Sequence, residues 1–258
     1  MKLASLFTTG TLVTLIGLPM LAAAESGLTV GQKKEVEHVI HDYLVGNPEV
    51  LIEASQALQQ KQQKDLQDQA KTAISTNSDA LFNEKLSLAG NLKGAITLVE
   101  FFDYQCIHCK KMTPILNDLM SKNANLRVIY KEFPIFGKSS ELASRVALAA
   151  ALQGKYQQVH ELLLTLDKRL NENIVMNAIK TLGLDMSKLK KDMNSQDISK
   201  QLDANRSLAE KLHLMGTPAF IVASTPAGHL KAGSLPEFVP GAASKESLQS
   251  LIDKVAAQ

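Results

Sequence analysis

Cys106 and Cys109 are the only cysteines in the 258 residues and stand three positions apart in Phe101-Phe102-Asp103-Tyr104-Gln105-Cys106-Ile107-His108-Cys109-Lys110-Lys111. Two thiols at that spacing can be a structural cross-link, half of a metal site, or a redox pair. As a cross-link they would achieve little, because the stabilisation grows with the length of the loop that is closed. Secreted proteins that rely on such staples are also small and carry several of them. A structural zinc ion takes four ligands, commonly paired Cys-x-x-Cys units or two cysteines with two histidines. Apart from His108, the histidines are His38, His41, His160, His213 and His229, and the one close pair, His38 and His41, lies far upstream. No metal and no cofactor are therefore expected, and redox chemistry is favoured over metal binding or chance spacing.

The elements around the pair support that reading. Ala95 to Phe102 is apolar and rich in strand formers, with Lys93-Gly94 before it, as a buried strand requires. Met112, Ile115, Leu116, Leu119 and Met120 then recur at helical spacing. Cys106 should thus sit where a strand gives way to the first turn of a helix. Unpaired N–H groups and the macrodipole favour negative charge there, so the thiol should ionise more readily than a free one. Since the thiolate is the species that attacks and leaves, Cys106 is the expected nucleophile and Cys109 the resolving thiol on the inner side. His108 can pair with the same sulfur.

Residues 1–24 carry one early charge at Lys2, an apolar stretch broken by Pro19, and Ala22-Ala23-Ala24 before Glu25. That pattern is expected of a cleaved secretory signal; the alternative, a membrane anchor, falls short of the roughly 20 apolar residues that a span needs. Removing Lys2 and no acid lowers the formal charge from +2 to +1. Nothing in that balance suggests nucleic acid. About 234 residues remain, enough for one large domain or a medium domain with an extension. The mature chain is expected to be soluble and exported, in the periplasm.

Val99-Glu100-Phe101-Phe102-Asp103-Tyr104-Gln105-Cys106-Ile107-His108-Cys109-Lys110-Lys111 resembles the active-site segment of the DsbA family of thiol:disulfide oxidoreductases, an apolar strand ending in EFF followed by Cys-Pro-His-Cys. Ile107 stands in place of that proline. The resemblance implies that His108 stabilises the thiolate, and that Cys106 and Cys109 form the disulfide. It also implies that Gly216-Thr217-Pro218 is the loop whose cis proline faces the cysteines, with backbone groups at Thr217 and Pro218 pairing with an extended substrate peptide. Glu100 and Lys131 lie where the family places acid and lysine groups that assist proton transfer near the buried cysteine. From the residues alone, both could equally point to solvent.

Helical patterns at Leu142–Leu152, Tyr156–Leu166, Ile174–Leu182 and Leu189–Leu214 resemble the family's helical insertion, about residues 139–214, inside an α/β thioredoxin-like fold. Phe220-Ile221-Val222, a connection near Gly228, a short strand near Leu230-Lys231-Ala232 and a helix from Ser244 to about Ala256 should complete the domain, 76–258. Residues 25–75 form an N-terminal helical segment and linker. Val36, Val39, Ile40, Tyr43 and Leu44 make one stripe, Gly46 and Asn47-Pro48 a break, and Leu51, Ile52, Ala54 and Leu58 a second helix. Gln59 to Lys71 is polar and should bridge rather than pack. The apolar stripe must cover itself on the chain's own catalytic domain or on another copy, and a homodimer or homotrimer is favoured. Longer DsbA-like proteins of the ScsC group share this arrangement and assemble through this segment. The family resemblance implies reduced or misoxidised exported proteins as substrates and a DsbB-like or DsbD-like membrane redox partner. The competing reading is an exported chaperone or peptide-binding module with idle cysteines.

Overall fold

The run Ile96-Thr97-Leu98-Val99-Glu100-Phe101-Phe102 forms the central strand of a five-stranded sheet, buried at every position. The computed structural model describes residues 27–166 and 169–258; the expected signal segment lies outside them. The strands are β1 (Leu88–Gly90), β2 (Ile96–Phe102), β3 (Leu126–Glu132), β4 (Ala219–Ser224) and β5 (Glu237–Pro240), in the order β1-β3-β2-β4-β5. β2 and β3 are parallel; the other pairings are antiparallel. Helix α4 (Ile107–Lys122) connects β2 to β3, as a parallel crossover must.

Both faces of the sheet are covered, which explains why β2 and β3 show no polar alternation. Leu98, Phe102, Val128, Tyr130, Phe220 and Val222 face one core with α4 and α10 (Lys245–Ala256). Val99, Phe101, Ile129, Ala219 and Ile221 face the other, with Leu81 and Phe82 of α3 (Ser78–Phe82) and Leu208 of α9 (Gln196–Lys211). Helices α5 (Lys138–Ala151), α6 (Tyr156–Thr165), α7 (Glu172–Ile179), α8 (Met186–Asp192) and α9 stand between β3 and β4.

The short strand expected at Leu230-Lys231-Ala232 is absent, and β5 forms at Glu237–Pro240 instead. Lys231 N–H still donates to Ser224 O at 2.8 Å, but Ser234 N–H then closes a turn onto Lys231 O and Gly233 takes φ +75°. The chain must leave the sheet there, and pairs with β4 only after the turn.

By its contacts the chain divides into a unit ending at Leu58 and a unit Gln59–Gln258. In the first unit, α1 (Val30–Gly46) starts on a capping box in which Gln32 N–H donates to Thr29 Oγ1 and Thr29 N–H to Gln32 Oε1. It buries no residue, and Val39, Ile40 and Tyr43 are all more than half exposed. Helix α2 (Glu49–Thr76) takes in the polar segment expected to bridge, and at its far end Ala70 and Ile74 are buried in the second unit. Among the described residues no helix is long and apolar enough to cross a membrane.

Candidate active site

At the end of β2, three residues turn the chain into α4, and each is tied down. Asp103 is fully buried; its Oδ1 accepts from Gln105 N–H (2.7 Å) and Ser140 Oγ–H (2.7 Å), its Oδ2 from Ile135 N–H (2.8 Å) and Phe136 N–H (3.0 Å). Tyr104 donates its hydroxyl to Glu132 Oε1 at 2.9 Å, and Tyr156 donates to the same oxygen at 2.8 Å. His160 Nδ1 lies 3.2 Å from the Tyr104 hydroxyl. With the Tyr104 proton given to Glu132, the His160 Nδ1–H must be the donor to Tyr104. Burial holds His160 near a pKa of about 3, so it stays neutral. Burial also pushes Glu132 up to about 8, against the pull of its hydroxyl donors.

This anchored turn delivers Cys106 as the N-cap of α4, with extended φ/ψ of −75° and 116°. Its sulfur accepts from Cys109 N–H at 3.4 Å and lies 3.3 Å from Thr217 O. The two cysteines are free thiols here, both buried, with Cys109 on the inner side. The Cys109 thiol, donating to the Cys106 sulfur, is the largest of the influences that bring Cys106 from 9.0 down to about 5; burial opposes it, while Thr217 and the N–H groups of Cys109 and His108 assist. Neutral Cys106 can donate to the Thr217 carbonyl, which favours the protonated form, but the converging donors outweigh that single contact. Cys109 moves the opposite way: the same hydrogen bond keeps its proton on, and burial and Glu100 add to the effect.

Glu100 is buried at 3 % exposure on the cysteine face, and its Oε1 has no hydrogen-bond partner among the described residues. Burial first, then the charges of Cys106 and Glu132, raise its pKa well above the carboxylate range. It is a buried acid that holds its proton beside the thiol pair. His108 contributes its backbone N–H; its ring is exposed and makes no hydrogen bond to another described residue.

The Thr217–Pro218 bond is cis. Pro218 O accepts from Gly241 N–H at 2.9 Å, which fixes the loop against the end of β5. Beside this loop opens an apolar pocket of about 360 Å³ lined by Leu212, Leu214, Met215, Pro218, Phe238 and Pro240, with Met215 98 % exposed at its lip.

Residues 97–253 match the family model described as the DSBA-like thioredoxin domain. The chain belongs to this family. Residues 32–64 match a second model, the N-terminal domain of the copper resistance protein ScsC. The DSBA-like chain is 31 % identical over 134 residues to the thiol:disulfide interchange protein DsbA of Bordetella parapertussis, half of this chain and 64 % of that protein. It spans between 21 % and 65 % of the length of the curated relatives it matches. Among solved structures, BcfH of Salmonella enterica Typhimurium aligns at TM-score 0.75 and 30 % identity, covering 88 % of this chain and 96 % of that one. ScsC of Proteus mirabilis in a transitional conformation aligns at TM-score 0.61 and 30 % identity, covering 89 % and 97 %. The expected thioredoxin-like fold is thereby established for this DSBA-like chain.

Within that domain the structure brings together Cys106, Cys109, Glu100, Thr217 and Pro218, with His108 on the outer rim. It does not bring Lys131 to them. In the β2–β3 register Glu100 pairs with Tyr130 and Lys131 with Phe101, so Glu100 and Lys131 point to opposite faces. Lys131 is buried against Glu84, at 3.1 Å, on the face away from the cysteines. Sequence reasoning singled out neither Asp103 nor the Tyr104–Glu132–Tyr156–His160 cluster. One usable signal existed: Asp103 directly follows the apolar run that ends in Phe101-Phe102.

Proposed function

We propose that this protein is an exported thiol:disulfide oxidoreductase that forms or reshuffles disulfides in other exported proteins through Cys106 and Cys109. The observation that carries the reading is the Cys106 sulfur at a helix start, with donors converging on it and a pKa of about 5. In the oxidising direction a substrate thiolate attacks Cys106 Sγ of the disulfide form, and the Cys109 sulfur leaves with the bond's electron pair. Cys109 then takes a proton, for which Glu100 is the adjacent buried donor. A second substrate thiolate attacks the substrate sulfur of the mixed disulfide, and Cys106 departs as a thiolate. The substrate gains a disulfide and the protein is left reduced by two electrons. In the reshuffling direction the reduced Cys106 thiolate attacks a wrong substrate disulfide and is later displaced by another substrate thiol, with no net redox change.

Thr217 and Pro218 offer backbone groups to a substrate strand, and the apolar pocket beside them suits a side chain of that strand. The exposed apolar stripe of α1, together with the match to the ScsC N-terminal domain, supports assembly of two or three copies through this segment. Residues 1–24 supply the export signal in this reading, the compartment is the periplasm, and a DsbB-like or DsbD-like membrane protein re-poises the cysteines. The test is Cys106→Ser assayed on reduced and on scrambled substrates. Near-complete loss of both activities is expected; retained activity would assign the protein to the binding-module class. Mass in solution, before and after removal of residues 25–58, tests the assembly: an already monomeric full-length chain rules it out.

A further inference from the structure

At the end of the sheet remote from the cysteines, Arg127 is buried without a counter-charge among the described residues. Arg127 is the second residue of β3 and is 6 % exposed. Its Nε–H donates to Thr97 Oγ1 at 2.9 Å, and its Nη2 makes two longer contacts, to Phe82 O (3.4 Å) and Thr225 Oγ1 (3.5 Å). These partners are neutral oxygens, and Thr97 and Thr225 are themselves fully buried. No ion pair among the described residues involves Arg127 or Lys93. The acid that approaches this end of the fold, Asp79, is almost fully exposed and sits 3.9 Å from His229, outside ion-pair distance of the guanidinium. A buried cation is retained at a cost unless an anion or a full set of acceptors compensates it. Nη1, which carries two N–H groups, has no protein acceptor among the described residues.

Nη1 is not sealed in. Arg127 lines a pocket of about 370 Å³ together with Leu92, Lys93, Gly94, Ala227 and Gly228. Gly228, at φ +87°, brings backbone alone against the guanidinium: a Cβ there would lie 3.3 Å from Nη1. Gly94 is equally without room, since a Cβ would meet Asn125 O at 2.5 Å. Beside the guanidinium Gly228 presents backbone alone, Leu92, Gly94 and Ala227 complete the uncharged lining, and the one other charged side chain lining the pocket is the exposed Lys93. A guanidinium floor and an ammonium rim, with no acid between them, match the donor geometry and charge of a phosphate-class oxyanion.

We propose that this pocket binds a phosphate-class oxyanion, held by Arg127 Nη1 and Lys93. The site is independent of the redox reading, because Thr97 and Phe102 lie at opposite ends of β2, roughly 17 Å apart at the strand rise. The anion comes either as free phosphate or as the headgroup of a phospholipid, and the two are separable. Calorimetric titration of the full chain with inorganic phosphate, against chloride at matched ionic strength, should show one saturable site. Lys93→Glu, a change at an exposed position, should weaken it at least tenfold, and Arg127→Gln should abolish it in a variant whose circular dichroism confirms the fold. Sedimentation with phosphatidate-containing vesicles, reversed by phosphate, assigns the headgroup; phosphate binding without vesicle binding assigns the free ion. Phosphate heats no larger than those of chloride, or an affinity unchanged by Lys93→Glu, would overturn the proposal. The Cys106 titration should be the same in all these variants.

Discussion

Ionisation of Cys106 should open a pH-dependent gap between the stabilities of the reduced and oxidised protein. The folded reduced chain holds this thiol at about 5 instead of 9.0; the oxidised chain has no such group. Because the folded pKa is depressed, the stabilisation is fully present above 9, declines as the pH falls, and is gone below about 5. Between about pH 4 and pH 7 the unscreened gain is about 3 kcal/mol. Cys106 itself is covered, but Ile107 and His108 beside it are exposed, so solvent screening reduces this to roughly 1–2 kcal/mol. Glu132 has the opposite sign. Its folded pKa of about 8 lies above the ordinary 4.5, so its contribution is full below 4.5 and lost as the pH rises to 8. Glu100, also raised, acts in the same direction. Both carboxyls are present in either redox form, so the reduced-minus-oxidised difference isolates the thiol, apart from the coupling of Glu100 to the thiolate, which a Glu100→Gln control removes. Urea unfolding of both forms at the two pH values measures the difference, and ultraviolet thiolate absorbance locates the titration. A difference that does not change with pH, with absorbance rising only near 9, refutes the thiolate account.

Cys109→Ala removes the principal donor to Cys106, so the Cys106 titration should move up from about 5, and mixed disulfides with substrate should accumulate in intact-mass spectra. Glu100→Gln takes away the buried proton donor to the leaving Cys109; formation of the mixed disulfide from the oxidised protein should slow by on the order of tenfold to a hundredfold, read by quenched-flow kinetics, while stability at neutral pH is unchanged or higher. Lys131→Met leaves Glu84 buried and unpaired and should cost about 3–5 kcal/mol in urea unfolding, yet leave the Cys106 titration where it was; a shifted titration would restore Lys131 to the redox site. Tyr104→Phe deletes one donor to Glu132 and should cost about 1–2 kcal/mol, measured by thermal or urea unfolding.

The chemistry of the pair was legible because it is local. A strand that ends in Phe101-Phe102, a helix that begins at Ile107, and two thiols three positions apart all fall within the nine residues 101–109, and the N-cap geometry follows from that contiguity. The α1 stripe and its break at Gly46-Asn47-Pro48 are local in the same sense. What the tertiary structure decided is which side of the sheet each residue takes and what meets it there. With both faces buried, β2 and β3 carry no alternation that could separate Glu100 from Lys131; the inter-strand register alone sends one to the cysteines and the other to Glu84. The clamps on the active-site turn likewise join Asp103 to Ser140, and Tyr104 to Glu132 and His160, across gaps of 28 to 56 residues. Hydrogen bonds over such gaps depend on how helices pack after the chain has closed, a property that no short window of residues contains.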